Sequence, residues 1–254
     1  EIDLSLGRIK SLCKKLGDPQ DKINAISVVG TNGKQSTINA IYSILKEASI
    51  KCNVYTSPHI QKINERFIFN NKELGDEELA DLFEEIEKIN NNQPITFFEI
   101  LTACYFYKAS QYPNNINLIE AGLFHRFDAT NILKKNLASI VCSISKDHLD
   151  WLPKDQQTVE KIVFEKTSNL LNSNIIVSQQ NSNKTMEYIK KNGDDNIALL
   201  NITKEWYSRR LCRNGLLIYD KKMLQTGEYS ELHSPRPFED NSDYLLSLID
   251  DLLQ

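Results

Sequence analysis

Apolar residues recur along this chain with two different spacings. In several segments they return every three or four positions, the spacing of an amphipathic helix, and between these segments they form short continuous runs. The helical pattern covers residues 9–16, 36–49, 79–89, 97–110 and 158–171, and the runs that predict strands lie at residues 26–29, 52–55, 117–120, 138–144 and 175–178. Strands that alternate with helices in this way predict an α/β fold, in which helices cover both faces of a parallel sheet.

Two segments depart from this alternation. Phe67–Phe69 precedes Asn70-Asn71 and predicts a short hairpin arm. After about Asn201 the pattern changes. Arg213-Asn214-Gly215 lies between apolar residues and predicts a hairpin turn, and a short final helix is predicted over residues 244–253.

The run VVGTNGKQS, residues 28–36, joins the first predicted strand to the helix that follows it. Glycines at such a junction allow a tight turn, and the helix N-terminus then offers backbone N–H groups and the positive end of its dipole to an anion. Lys34 adds a mobile positive charge, and the Ser36 hydroxyl can contact a metal ion or a phosphate. The run departs from a strict Walker motif at Val28 and Gln35, so an ordinary tight turn stays an alternative to a phosphate site.

Polar side chains follow the other predicted strands at the point where each strand ends. Ser57 follows the second strand, Glu120 closes the third, and Asp147-His148 follows the fourth. Ligands of an open parallel sheet bind beyond the carboxyl ends of its strands, so we expect these side chains to meet beside the glycine loop. A hydroxyl, a carboxylate and an imidazole there would suit a divalent metal bound to nucleotide phosphates. Taken singly, each has an alternative role in capping, a surface ion pair or a surface hydrogen bond.

The composition argues against several other classes of protein. The 254 residues suit one large or two small domains, and 41 % hydrophobic and 25 % charged residues are ordinary for a globular protein. The net charge of −4 gives no electrostatic reason to expect nucleic acid or an anionic membrane as a partner. Five widely spaced cysteines without a CxxC pair suggest reduced thiols. We therefore expect a cytoplasmic protein that binds neither nucleic acid nor membrane. We also expect it to be a monomer.

Six motifs together resemble one enzyme family. GTNGKQS, YTSPHIQKINERF, TFFEILTA, LIEAGLFHRFDATNIL, SISKDHLDWL and TVEKIVFEK occur in the order found in folylpolyglutamate synthase/dihydrofolate synthase, of the Mur ligase superfamily. The resemblance covers roughly residues 4–180. It implies a P-loop-type parallel sheet flanked by helices, the ATPase domain of a Mur ligase. We accordingly predict an ATP-binding domain over residues 1–233 and a linker-like tail with a short helix over residues 234–254.

The resemblance also implies roles for particular residues. ATP phosphates would lie on the glycine loop, which consists of Gly30, Thr31, Asn32, Gly33, Lys34, Gln35 and Ser36. Mg²⁺ would be held, directly or through water, by Ser57, Glu120 and His148. Lys34 would be catalytic, and so would Lys166, which resembles the family lysine that carries a carbamate. Residues that match the pterin site of bifunctional bacterial members are Phe98, Glu99, Phe127, Asp128 and Ala129.

The reaction that the resemblance implies is ATP-dependent amide formation. The carboxylate of dihydropteroate or of a folate attacks the γ-phosphate, and L-glutamate then displaces phosphate from the acyl phosphate. Such chemistry needs charge neutralisation and in-line placement rather than a protein nucleophile. An alternative function is a nucleotide- or pterin-binding module that has lost catalysis.

Three departures from the family pattern bear on this choice. The loop reads GKQS where the family has GKGS, and Phe124-His125 replaces a glycine pair. Since such glycines often allow close approach to a ligand, the aromatic ring is interpreted either as a substrate platform or as simple packing. The family's second domain, which helps to bind glutamate, is expected to be missing here, so the chain is either a fragment or a shortened relative.

Overall fold

Seven strands form one sheet in the part of the chain that the computed structural model describes, which comprises residues 5–168, 170, 174–178, 180 and 182–192. In chain order the strands are β1 (Asn24–Val29), β2 (Cys52–Tyr55), β3 (Phe67–Phe69), β4 (Lys72–Glu73), β5 (Ile116–Glu120), β6 (Ala138–Val141) and β7 (Asn174–Val177). Their order across the sheet is β4-β3-β2-β5-β1-β6-β7. The five strands from β2 to β7 in that order are parallel, whereas β3 and β4 add an antiparallel hairpin at one edge.

Six α-helices in the described residues flank this sheet. They are α1 (Gly7–Lys15), α2 (Lys34–Glu47), α3 (Asp76–Asn90), α4 (Phe97–Ala109), α5 (Val159–Thr167) and α6 (Asn183–Asn192). The alternation of side chains along a strand places successive residues of β1 on opposite faces. Ile26 and Val28 pack with Ile38 of α2 on one face, and Ala25 packs with α1, α3 and α4 on the other. The predicted helices on both faces are therefore confirmed.

The central position of β1 places the glycine loop between two neighbouring strand ends. Val28 pairs with Glu120 of β5 on one side and with Ile140 of β6 on the other. The chain runs from β1 through α2 to β2, which lies beyond β5 in the sheet. A crossover of this kind opens a crevice at the carboxyl ends of the strands, and Gly30 enters it.

The structure shortens two predicted elements and adds one. Strand β6 ends at Val141 rather than at Ile144, because the Ile144 N–H donates to the side chain of Gln180 instead of to a neighbouring strand. Helix α5 is shorter than the predicted segment 158–171. Helix α6 was not predicted. The predicted turn at Arg213-Asn214-Gly215, the final helix and the tail 234–254 lie outside the described residues.

Other expectations concern the cysteines and the membrane. Cys13, Cys52, Cys104 and Cys142 are free and buried, as reduced cysteines in apolar runs are expected to be. Among the described helices, none has both the length and the apolar character needed to cross a membrane.

Candidate functional site

The glycine loop turns sharply after β1 and opens at the N-terminus of α2. Gly30 has φ +143° and Gly33 has φ +88°, conformations that L side chains rarely adopt. A Cβ atom on Gly30 would lie 2.8 Å from Cβ of Cys142, so this position also requires the absence of a side chain. The loop is tied to the chain after β6, because the N–H groups of Thr31 and Asn32 both donate to the carbonyl of Ser143, at 2.9 and 3.2 Å.

The first turn of α2 lies at the end of this loop. Gly33 is the N-cap of α2, and no side chain in the described part of the chain caps the helix there. The first turn of a helix leaves its N–H groups without intrahelical partners, and this turn holds Lys34, Gln35 and Ser36. Gln35 and Ser36 are exposed. The arrangement is a ready-made site for an anion.

Lys34 points back over the loop toward Glu120. Its Nζ donates to the carbonyl of Gly30 at 3.3 Å and lies 3.9 Å from Oε1 of Glu120. The other Glu120 oxygen, Oε2, accepts the N–H of Ser57 at 3.1 Å. Burial raises the pKa of Glu120, against the lowering effects of the Ser57 amide and of Lys34. A lysine, a carboxylate and a serine from the ends of three strands thus meet at one edge.

Lys166 of α5 joins the same edge from beneath the loop. Its side chain is only 2 % exposed, and its Nζ donates to the carbonyls of Gly30 and Leu123, each at 3.1 Å. Oδ2 of Asp147 lies 3.6 Å from this Nζ and 3.0 Å from Nε2 of His148. Desolvation lowers the pKa of Lys166 to about 8, and it also lowers the pKa of His148. The structure therefore brings Lys34, Ser57 and Glu120 together, and Asp147 places His148 next to Lys166, which contacts the same loop.

Phe124 and His125 are buried, which supports packing rather than an exposed substrate platform. Their exposed fractions are 4 % and 3 %. The Phe124 ring meets the His148 ring edge to face at 6.1 Å, and Nζ of Lys166 lies 5.6 Å from its centroid. Burial lowers the pKa of His125 to about 4, so this imidazole is neutral near pH 7.

The residues that match the pterin site lie in two places near Gly122. Phe98 and Glu99 lie in the first turn of α4, where the Thr96 hydroxyl and the Glu99 carboxylate form a capping box. Oε2 of Glu99 lies 3.0 Å from Nε of Arg8, while the buried Oε1 has no hydrogen-bond partner among the described residues. Phe98 is half-buried. Its ring would contact a Cβ placed on Gly122.

Phe127, Asp128 and Ala129 follow Gly122 in the loop after β5. The Asp128 carboxylate is buried, and it accepts the N–H of Gly122 at 2.9 Å and the N–H of Thr130 at 3.0 Å. Burial raises its pKa. Ala129 packs in the core under α4, and the Phe127 ring lies against Arg126. Asp128 and Ala129 therefore hold the loop in shape.

Two features of this edge were missed in the sequence. Asp147 joins Lys166 to His148, and Arg126 forms an ion pair with Glu165 at 3.2 Å. For the contacts of Asp147, the only signal in the sequence was its position next to His148. Neither partner of the second pair follows a strand directly, so no sequence pattern indicated it.

The donor set at this edge can be compared with the needs of Mg²⁺. In the described part of the chain, no three His, Cys, Asp or Glu side chains form a group that could hold a metal ion. Mg²⁺ usually keeps several waters and takes only one or two carboxylates besides substrate phosphates. The carboxylate of Glu120 and the hydroxyl of Ser57 fit that requirement. The imidazole of His148 is a softer donor, which suits contact through water better.

The contacts of Lys166 fit an ammonium group better than a carbamate. Its Nζ faces two carbonyl oxygens and the carboxylate of Asp147, all of which accept hydrogen bonds. Carbamate oxygens would need donors or cations in their place. The lowered pKa nevertheless provides some neutral amine, the form to which CO₂ adds.

Comparison with known proteins points to one family. The chain is 36 % identical over 201 residues to the dihydrofolate synthase/folylpolyglutamate synthase of Bacillus subtilis, a match that covers 76 % of this chain and 46 % of that protein. The Escherichia coli protein of the same name is 36 % identical over 160 residues, covering 62 % of this chain and 37 % of the relative. The chain thus spans about half the length of these relatives or less. No protein-family model matches it.

Solved structures agree with these sequence matches. The structure of Escherichia coli FolC in complex with DHPP and ADP superposes with a TM-score of 0.74 at 27 % identity, covering 97 % of this chain and 57 % of that one. Mycobacterium tuberculosis folylpolyglutamate synthase complexed with ADP and AMPPCP gives a TM-score of 0.71 at 26 % identity, with coverages of 85 % and 51 %.

Proposed function

Because this chain belongs to the dihydrofolate synthase/folylpolyglutamate synthase family, we propose that it carries the nucleotide site of an ATP-dependent ligase. The proposed reaction joins L-glutamate to dihydropteroate or to a folate through an acyl phosphate. The observation that carries this proposal is the meeting of the glycine loop, Lys34 and Glu120 at one sheet edge, with Nζ of Lys34 3.9 Å from the carboxylate. We further propose that the protein acts on small molecules as a cytoplasmic monomer.

In this proposal the chain binds and orients the nucleotide. The N–H groups in the first turn of α2 hold phosphate oxygens, and Lys34 exchanges its contact with the Gly30 carbonyl for a phosphate oxygen. Ser57 and Glu120, with His148 through water, would hold Mg²⁺, which when bound would neutralise phosphate charge. The N–H of Ser57 keeps the Glu120 carboxylate turned toward the loop. Charge-assisted contacts of this kind lower the barrier to phosphoryl transfer.

We propose that the acceptor lies between the start of α4 and the loop after β5. Phe98 and Phe127 offer aromatic surface, and Glu99, whose Oε2 accepts the Thr96 N–H and lies 3.0 Å from Nε of Arg8, holds the start of α4 in place. Asp128 and Ala129 contribute by holding the backbone of this loop. Lys166 is proposed to carry a carbamate only when a cation replaces its present acceptors. No step of the reaction is assigned to that group.

An assay of ADP release tests this function. The full chain is incubated with ATP, Mg²⁺ and dihydropteroate, with and without L-glutamate, and the same comparison is made with a folate as acceptor. ADP release that requires both acceptor and glutamate supports the ligase. Release of no ADP together with binding of ADP or dihydropteroate in calorimetry supports the alternative, a binding module without catalysis. Absence of both turnover and binding contradicts both functions.

A further inference from the structure

Residues 123–126 lie directly on helix α5. The carbonyl of Leu123 accepts from Nζ of Lys166 at 3.1 Å, and the Phe124 ring lies beside the same Nζ. Nη1 of Arg126 lies 3.2 Å from Oε1 of Glu165, the residue before Lys166. This segment therefore contacts two successive residues of the helix.

The ion pair between Arg126 and Glu165 is held on several sides. Glu165 is only 6 % exposed. The guanidinium of Arg126 lies 4.6 Å from the ring centroid of Phe127 and 5.2 Å from that of Phe164. A planar, stacked arginine loses little further freedom when it pairs with a carboxylate. The contact is thus better defined than an exposed surface pair, which contributes little.

Each residue of this ion pair is next in the sequence to a residue of a proposed ligand site or of its support. Arg126 immediately precedes Phe127-Asp128-Ala129, the segment assigned to the acceptor. On the other side, Glu165 precedes Lys166, whose Nζ donates to the carbonyl of Gly30. That carbonyl also accepts from Lys34 in the nucleotide loop. A continuous series of contacts therefore connects the nucleotide loop with the acceptor segment.

We propose that the Arg126–Glu165 ion pair couples nucleotide binding to acceptor binding, with Arg126 as a positioning residue. The proposal rests on the proposed function of the two sites. A nucleotide that holds Lys34 and Gly30 in place also fixes Lys166 and α5, so the acceptor segment has less freedom to lose when its ligand binds. The coupling is a free energy and acts equally in both directions.

Calorimetry of the full chain measures this coupling. Dihydropteroate is titrated into the protein alone and into the protein saturated with ADP and Mg²⁺, and ADP is titrated with and without dihydropteroate. We expect each ligand to tighten the other by about fivefold or more, the lower end of typical coupling. In R126Q this factor should fall by about half or more, the contact of Lys166 with the Leu123 carbonyl being left intact. The affinity for ADP alone should stay within about twofold of that of the unchanged protein, because Arg126 touches neither Lys34 nor the glycine loop.

Lys161 provides the matched control. Its Nζ contacts the same atom, Oε1 of Glu165, at 2.9 Å, but it lies one turn away on the same helix. K161Q therefore removes a positive partner of Glu165 without cutting the link to the acceptor segment, and it should keep the coupling. Thermal unfolding checks that each variant folds. If R126Q does not fold, the comparison passes to E165Q, which breaks the same contact from the helix side.

The outcomes separate the two proposals. If neither ADP nor dihydropteroate binds the unchanged protein, the proposed function fails and this inference fails with it. If both bind but show no mutual effect, the coupling is refuted while the function stands. Coupling that is undiminished in folded R126Q or E165Q, or that falls equally in K161Q, also overturns the role of the ion pair.

Discussion

Glu120, which we propose as a ligand of Mg²⁺, is a buried carboxyl group whose ionisation lowers the stability of the fold. Its side chain is 4 % exposed, and its carboxylate lies 3.9 Å from one lysine, so burial is the largest influence and raises its pKa. A carboxyl group with a raised pKa binds its proton more tightly in the folded chain than in the unfolded chain. Its contribution to stability is therefore complete below the ordinary value of 4.5 and is lost as the pH rises through the raised pKa.

We expect E120Q to stabilise the protein without ligand and to weaken its use of metal. At pH 7 the neutral amide avoids burying a charge, so the free energy of unfolding should rise by about 0.5–2 kcal/mol. The gain should shrink below pH 4.5. Urea unfolding across this pH range measures the effect, with E73Q as an exposed control.

ADP titrations should lose their dependence on Mg²⁺. A less stable E120Q at pH 7, or an unchanged effect of Mg²⁺, contradicts this account.

The pKa shift of Lys166 has the opposite effect on how stability depends on pH. Its pKa is lowered from 10.5 to about 8, chiefly by desolvation, so the folded chain binds fewer protons than the unfolded chain between these values. Stability should therefore rise between about pH 8 and 10.5 in the unchanged protein and should change less in K166M. Urea unfolding at several pH values tests this slope.

The carbamate on Lys166 has a separate test. Because the present neighbours of Nζ are acceptors, we expect a carbamate only when Mg²⁺ and ADP are bound. NMR with ¹³C-labelled bicarbonate should give a carbamate signal under that condition and none in K166M. A signal that is missing even with Mg²⁺ and ADP rules out the modification in this chain.

At the scale of single elements, two glycines of the loop are required for different reasons. Gly33 needs a left-handed backbone, but a Cβ there would meet no atom within 4 Å. Gly30 needs both an unusual backbone, with φ +143°, and space, since Cβ of Cys142 would lie 2.8 Å from its added Cβ. G33A should therefore cost about 1–2 kcal/mol of stability, and G30A should cost more. Urea unfolding of both variants checks this order, and an equal or larger loss in G33A contradicts it.

Most elements could be predicted because their apolar patterns are local. The run Cys52–Tyr55 forms β2 with the predicted bounds, and the predicted helix 97–110 corresponds to α4. Helix α6 was missed because its sequence NKTMEYIKKN is mostly polar. The addition of the hairpin to the main sheet was also missed, since pairing between β2 and β3 depends on tertiary packing rather than on spacing.

Only the part of the site that lies at the strand ends could be predicted from the sequence. Glu120 and Ser57 follow strands and meet as expected. The contact between Asp147 and Lys166 could not be predicted, because it depends on how α5 packs against the sheet edge. The same reason applies to Arg126 and Glu165. Pairs of this kind join distant segments that have no common periodicity.

The whole molecule should respond to nucleotide as one unit. The loop after β1 is held by Ser143 after β6 and by Lys166 of α5, so a ligand on the loop supports several elements at once. A ligand that binds only the folded chain stabilises it by about 2.7 kcal/mol at one hundred times its dissociation constant. Thermal unfolding should therefore shift upward with ADP and Mg²⁺ together.

Substitution of Lys34 tests whether this stabilisation comes from the proposed site. Its ammonium is the positive side chain that reaches both the Gly30 carbonyl and Glu120, so K34A should weaken ADP binding by about 1–3 kcal/mol, the scale of a lost charge-assisted contact. The upward shift with ADP and Mg²⁺ should fall accordingly. K46A, at the other end of α2, removes a lysine from the same helix without touching the loop and should keep the full shift. Calorimetry gives the affinities directly. Equal losses in K34A and K46A, or an unchanged affinity in K34A, would show that the nucleotide binds elsewhere on the molecule.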